Sequence, residues 1–109
     1  MNLLRVDDSL NAKKIMYLAE QGDADAQFLL GNANYSGDAC DGGYPNYLEA
    51  ASWYRKAAAQ GHAKAMCQLG TMYYLGMVKR KKGDPNNYKQ AADWFHEATR
   101  RMFSTGFDD

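Results

Sequence analysis

Residues 21–57 of this 109-residue chain recur, in register, at residues 60–98. Gln21-Gly22-Asp23-Ala24-Asp25-Ala26 aligns with Gln60-Gly61-His62-Ala63-Lys64-Ala65, a shift of 39. The same shift carries Leu30-Gly31, Tyr35 and Gly37 onto Leu69-Gly70, Tyr74 and Gly76. After a variable loop the match resumes at a shift of 41, where Ala50-Ala51-Ser52-Trp53-Tyr54 meets Ala91-Ala92-Asp93-Trp94-Phe95. A period of about 40 residues with two apolar-periodic halves is the signature of a helical solenoid. Each helix pair cannot bury its apolar face alone and must stack on a neighbour. The fold class that follows is all-α: a short right-handed α-α superhelix of about five antiparallel helices in one domain.

Punctuation along the chain places the helices. Asp8 to Gln21 reads as a first helix, with Asp8 or Ser9 as N-cap and Gly22 past its end. Its Ala12 and Ala19 match Ala51 and Ala58 at the shift of 39, so residues 8–21 look like half a repeat. Residues 22–60 form the first full repeat: a helix from Asp23 to Ser36 stopped by Gly37, a loop rich in Gly and Asp, then a helix from Pro45 or Asn46 to about Gln60. Residues 61–103 form the second: His62 to Leu75 ended by Gly76, a loop, then Pro85 to about Phe103. Residues 104–109 read as a tail.

Small residues at fixed repeat positions imply close helix contact. Gly31 and Gly70 fall inside helices, where glycine costs up to about 1 kcal/mol relative to alanine. That cost recurring at one repeat position predicts that another helix approaches there. Ala26, Ala50, Ala57, Ala65, Ala91 and Ala98 are expected in the same contacts, with Trp53, Tyr54, Trp94 and Phe95 filling the space between repeats.

These residues resemble the Sel1-like repeat family, relatives of the tetratricopeptide repeats, whose pattern runs approximately A-x-A-x-x-x-L-G-x-x-Y-x-x-G, a loop, then D-Y-x-x-A-x-x-W-Y-x-K-A-A-x-x-G. Ala63, Ala65, Leu69, Gly70, Tyr73 and Gly76 fit the first half. Tyr47, Ala50, Trp53, Tyr54, Lys56, Ala57, Ala58 and Gly61 fit the second. Asn34 departs from the family tyrosine, Asn46 and Asn87 from the usual aspartate, and both loops are longer than usual. The resemblance implies an adaptor without chemistry of its own, binding a protein or peptide, of bacterial type.

Helical geometry separates a core arc from a free arc. At 100° per residue Ala65, Met66, Leu69, Gly70 and Tyr73 share one side, while Lys64, Cys67, Gln68, Thr71, Tyr74 and Leu75 take the opposite one. Asp25, Phe28, Leu29, Asn32, Tyr35 and Ser36 are their counterparts. In related solenoids the first helix of each pair lines the concave face. By that resemblance Phe28, Asn32, Tyr35, Cys67, Thr71 and Tyr74 would form the partner-binding floor, with aromatic side chains as anchors.

Other chemistries find little support. Formal net charge is zero, so no bulk field draws in nucleic acid or an anionic membrane. The zero conceals a split: residues 1–50 hold 3 basic and 8 acidic side chains, residues 51–109 hold 10 and 5. Lys79-Arg80-Lys81-Lys82 reads as a solvated loop, without interleaved aromatics for nucleic acid. Asp38, Gly43 and Glu49 fall at EF-hand positions 1, 6 and 12, but Cys40 and Gly42 at positions 3 and 5 offer no side-chain oxygen. His62, His96, Cys40 and Cys67 lack zinc-ligand spacing. Cys40 and Cys67 are expected as free thiols. No nucleophile or phosphate-loop motif occurs, so no enzyme and no cofactor is expected. The N-terminal stretch lacks the apolar core of a signal peptide, and no run spans a bilayer, which predicts a cytoplasmic protein.

Two alternative functions follow from the same resemblance. One is a small immunity or inhibitor protein capping a specific toxin or enzyme. The other is a β-lactam-binding or hydrolysing enzyme, although the paired cysteines of such relatives are absent. Solenoid ends also expose core unless capped. Met16 and Tyr17 at one end, and Met102, Phe103 and Phe107 at the other, are therefore expected to favour a homodimer.

Overall fold

The computed structural model describes residues 2–38, 41–78 and 85–104. Among them are five α-helices and no strand: α1 (Asn2–Glu20), α2 (Ala24–Ser36), α3 (Tyr47–Ala59), α4 (Ala63–Tyr74) and α5 (Pro85–Ser104). A 3₁₀ turn, Asp41–Gly43, sits between α2 and α3. Packing runs between sequence neighbours, α1 on α2, α2 on α3, α3 on α4 and α4 on α5, which is an α-α solenoid.

Capping sets where the inner helices begin. Asp23 accepts the Ala26 N–H at 2.9 Å and opens α2, and Asn46 accepts that of Glu49 at 3.1 Å and opens α3. His62 does the same for α4, its Nδ1 accepting the Ala65 N–H at 3.2 Å. Each satisfies one of the donors that a helix start leaves without an intrahelical partner. Asn46 thus performs the role of the expected aspartate. Its repeat counterpart Asn87 does not, because α5 begins at Pro85 and Asn87 lies buried within that helix. The start of α1 is also earlier than the cap residues suggest: the helix begins at Asn2, so Asp8 and Ser9 lie inside it. Aspartate and serine favour caps but do not forbid helix interiors, and no glycine or proline stands between Asn2 and Asp8 to stop the chain from winding.

The core has two parts. Ala19, Ala26, Leu30 and Trp53 join α1, α2 and α3, with Ile15 and Leu18 against them. A larger cluster joins α3, α4 and α5 around Tyr54, Leu69, Met72 and the alanines 50, 51, 57, 58, 65, 91 and 98. Trp53 and Tyr54, adjacent in sequence, enter different clusters, so α3 links the two halves. The core arc of α4 is buried as its periodicity predicts, and Met72 joins it. An amide chain closes one edge: Gln60 Nε2 donates to Gly22 O at 2.8 Å and to Gln27 Oε1 at 3.0 Å, while Gln27 Nε2 donates to Ala19 O at 3.1 Å.

The helical glycines show why they are glycines. A Cβ on Gly31 would stand 2.6 Å from the Tyr54 ring, and one on Gly70 would stand 2.7 Å from the Phe95 ring. These are the same contact in successive repeats. They differ in freedom: Tyr54 is fully buried, whereas Phe95 is 37% exposed. Alanine gains up to about 1 kcal/mol of helix propensity over glycine, while overpacking costs about 1–3 kcal/mol when nothing can move. Gly31→Ala is therefore expected to destabilise by roughly 1–2 kcal/mol net, whereas Gly70→Ala, whose ring can swing outward, should lie within about 0.5 kcal/mol of wild type. Urea unfolding of both variants measures this, and equal losses would contradict it.

Candidate functional site

The first helices of the two pairs, α2 and α4, present their outer arcs side by side, and the Tyr54 hydroxyl of α3 reaches the joint between them. Asn32 Oδ1 on α2 accepts a hydrogen bond from that hydroxyl at 2.6 Å, and Gln68 Nε2 on α4 donates to it at a longer 3.4 Å. Burial pushes the Tyr54 phenol above its ordinary pKa, the Gln68 bond opposes this, and nearby Tyr35 adds to the rise.

One end of the joint is built around His62. Since Nδ1 accepts the capping N–H, the neutral ring carries its proton on Nε2, which donates to Asp25 Oδ1 at 2.8 Å. Phe28 stacks on this imidazole at 4.7 Å and tilts against Tyr54 at 5.8 Å. At the other end the Tyr35 hydroxyl donates to Met77 Sδ at 3.7 Å, and its ring lies 5.3 Å from that of Tyr47.

Of the six residues expected on the floor, Phe28, Asn32, Tyr35, Cys67 and Thr71 are half-buried and Tyr74 is 59% exposed. Phe28, Asn32 and Tyr35 gather around Tyr54. Thr71 donates to the Cys67 carbonyl at 3.0 Å, and Tyr74 leans its ring against Tyr88 of α5 at 5.4 Å. Phe28 and Tyr35 therefore have structural partners as well as a surface, and Tyr74 offers the larger free area. The periodicity places Gln68 on the free arc but leaves it outside the floor; Tyr54, a core residue by its neighbours, reaches the site through its hydroxyl. One signal for this was legible: the repeat position that holds Tyr54 holds Phe95 in the second copy, so only the first carries a hydroxyl.

Cys40, the Lys79-Arg80-Lys81-Lys82 run and Phe107 lie outside the described residues. Cys67 carries a free thiol. Among the described residues no three His, Cys, Asp or Glu side chains converge as metal ligands, and no helix is long and apolar enough to cross a membrane. A groove of about 950 Å³ opens between α1 and α2, lined in part by Ile15, Met16, Leu29 and Ala33.

The Sel1 repeat family matches residues 24–62 and 63–101, well over half of the chain. The chain belongs to the Sel1 repeat family. No curated protein and no solved structure matched it. The first matched Sel1 repeat contains α2 and α3, the second contains α4 and most of α5 in the same order, and α1 precedes both. Sel1 repeats generally mediate protein–protein interaction and are typically non-catalytic.

The raised Tyr54 pKa has a consequence with a definite sign. Folding favours the neutral phenol, so the folded protein holds this proton more tightly than the unfolded chain. The contribution is complete below the ordinary value of 10.0 and is lost as pH rises through the raised folded value. Above about pH 10 the stability of Tyr54→Phe should therefore fall less steeply than that of wild type. Urea midpoints measured from pH 8 to 11 check this, the other tyrosines being common to both proteins; parallel slopes would contradict it.

Proposed function

We propose that this Sel1-repeat protein is a non-catalytic interaction module that holds a protein or peptide partner on the joined outer arcs of α2 and α4. The observation that carries the reading is the mixture on this face. Half-buried side chains locked by their neighbours form a firm base, and exposed Tyr74 and Leu75 stand beside it. Interfaces draw most of their energy from a few aromatic anchors, and anchors on a rigid base lose little entropy on binding. The six residues Phe28, Asn32, Tyr35, Cys67, Thr71 and Tyr74 form the contact surface, with Tyr74 as its principal anchor.

A partner captured from the source cells on immobilised protein, then purified and titrated by calorimetry, tests the assignment. Thr71→Arg combined with Tyr74→Ala should weaken binding at least about tenfold, because both lie on the face and neither is fully buried. Phe103→Ser, on the exposed flank of α5, should leave affinity within about twofold. Loss of binding in the α5 variant alone would place the interface elsewhere.

Self-association is a second reading, favoured by a separate observation. Tyr17 on α1 and Phe103 on α5 are largely exposed, and Met16 and Met102 beside them are partly so. Stacking these apolar flanks between copies would remove them from water. Sedimentation across a hundredfold concentration range should show a dimer that Tyr17→Ser with Phe103→Ser abolishes; a monomer mass throughout would end this reading.

A further inference from the structure

Helices α1, α3 and α5 hold the same place in successive repeats, so each shows what the others should meet. On α3, Tyr47, Ala51, Tyr54 and Ala58 follow one another at spacings of four, three and four, a seam along one side of the helix. The next helix, α4, lies along it. Its Ala65, Leu69 and Met72 join Ala51, Tyr54 and Ala58 in one buried cluster, and its Gln68 reaches the Tyr54 hydroxyl. On α1, Ile15 and Ala19 precede Tyr54 and Ala58 by 39 residues, and they join Ala26 and Leu30 of α2.

The shift of 41 carries the α3 seam onto Tyr88, Ala92, Phe95 and Thr99 of α5, and Met102 extends it by three residues. All five are exposed, whereas Ala51, Tyr54 and Ala58 are buried. None of the five is charged. Lys89, Asp93, His96 and Arg100 each follow a seam residue by one position and are exposed too, Lys64 of α4 stands beside Met102, and Tyr74 leans on Tyr88. So α5 carries, uncovered among the described residues, a seam that the next helix of the chain closes on α1 and on α3. An α-helix is the shape that fits it.

The seam itself selects which helix. Tyr88, Phe95 and Met102 are large, and Ala92 and Thr99 between them are small. In a parallel two-fold pair of α5 helices each residue would meet its own copy, ring against ring and gap against gap. In an antiparallel pair the large positions of one copy face the small positions of the other, and the layers interdigitate. Antiparallel is also how α4, joined to α3 by three residues, runs along the α3 seam. Two registers achieve the match. One sets Phe95 against Ala92 of the second copy, but it spends Tyr88, already held by Tyr74, and leaves Met102 in water. The other sets Phe95 against Thr99 and Met102 against Ala92, and draws in the exposed Phe103 beside them.

We infer that α5 is a self-recognition surface: two copies of this chain pair through antiparallel α5 helices about a two-fold axis, Phe95 of each against Thr99 of the other and Met102 against Ala92. The inference rests on the reading that the protein self-associates, and it names the surface and its arrangement. The α5 helix of the second copy takes the place on repeat two that α4 takes on repeat one. Helix α1, whose seam α2 already meets, takes no part. The two-fold axis makes every contact twice, so a short seam counts double.

Sedimentation equilibrium of the full chain across a hundredfold concentration range tests the pairing through two exposed positions. Ala92→Glu or Met102→Lys alone should raise the dimer dissociation constant at least about tenfold, because each puts two unpaired charges into the contact. Combined, they should return it to within about threefold of wild type, since the antiparallel register sets each new carboxylate against a new ammonium group of the other copy. Neither position is buried in the single chain, so the circular dichroism of every variant should match wild type. A parallel pair would set like charge against like, so a double variant no tighter than the singles overturns the arrangement. A dimer that withstands Ala92→Glu and is lost in Tyr17→Ser overturns the α5 surface while self-association stands. A wild type that stays monomeric at every concentration overturns both together, and loss of the captured partner in Ala92→Glu would then assign the seam to another protein's helix.

Discussion

The contact between the Tyr54 ring and Gly31 is the constraint on which the rest of the molecule depends. With no Cβ at position 31, α3 approaches α2 closely enough for a whole aromatic ring to be buried between them. Burial of an aromatic side chain is among the largest single contributions a small domain can draw on, about 1.5–3 kcal/mol by area alone. The same approach carries the hydroxyl through to the far side, where it meets Asn32 and Gln68. A packing contact inside the first repeat thereby orders polar groups on a surface shared by both repeats. In a domain of this size there is little core to spare, so one ring serves both purposes.

Repetition makes the individual character of each repeat visible. Gly31 with Tyr54 and Gly70 with Phe95 are the same joint, yet the first is sealed and bears a hydroxyl while the second is partly open and does not. The caps diverge likewise. Asp23 opens α2 and His62 opens α4 at the equivalent position, but only the histidine has a second ring nitrogen to reach back to Asp25 and a face for Phe28 to stack on. A simple N-cap in one repeat becomes in the other a strut across the joint between them.

Most of the architecture was legible because the features that encode it are local. The 39-residue shift, the glycines past helix ends and the 3.6-residue periodicity of α4 need no knowledge of distant partners. The recurring interior glycine even announced a close approach, although not which ring would fill it. The start of α1 was not legible from Asp8 and Ser9, since cap-forming residues also occur inside helices when no breaker precedes them. The site was legible only in part. Periodicity marked Phe28, Asn32, Tyr35, Thr71 and Tyr74 as off the core arc, but the join at Tyr54 depends on where a buried side chain ends, which spacing does not encode. Gln68 was visible as a free-arc residue, and its importance emerges only from the shared hydroxyl.

The central claim is that a core side chain orders the outer face through its hydroxyl, and the proton of that hydroxyl reports on it directly. In water an exposed tyrosine hydroxyl exchanges too fast for its proton to be observed, whereas one that is buried and hydrogen-bonded exchanges slowly. Proton NMR at neutral pH should show a resolved Tyr54 hydroxyl resonance, with through-space contacts to the side-chain amide protons of Asn32 and Gln68, absent from the spectrum of Tyr54→Phe. A Tyr54 hydroxyl in rapid exchange, with side-chain amides at their random-coil positions, would contradict the account.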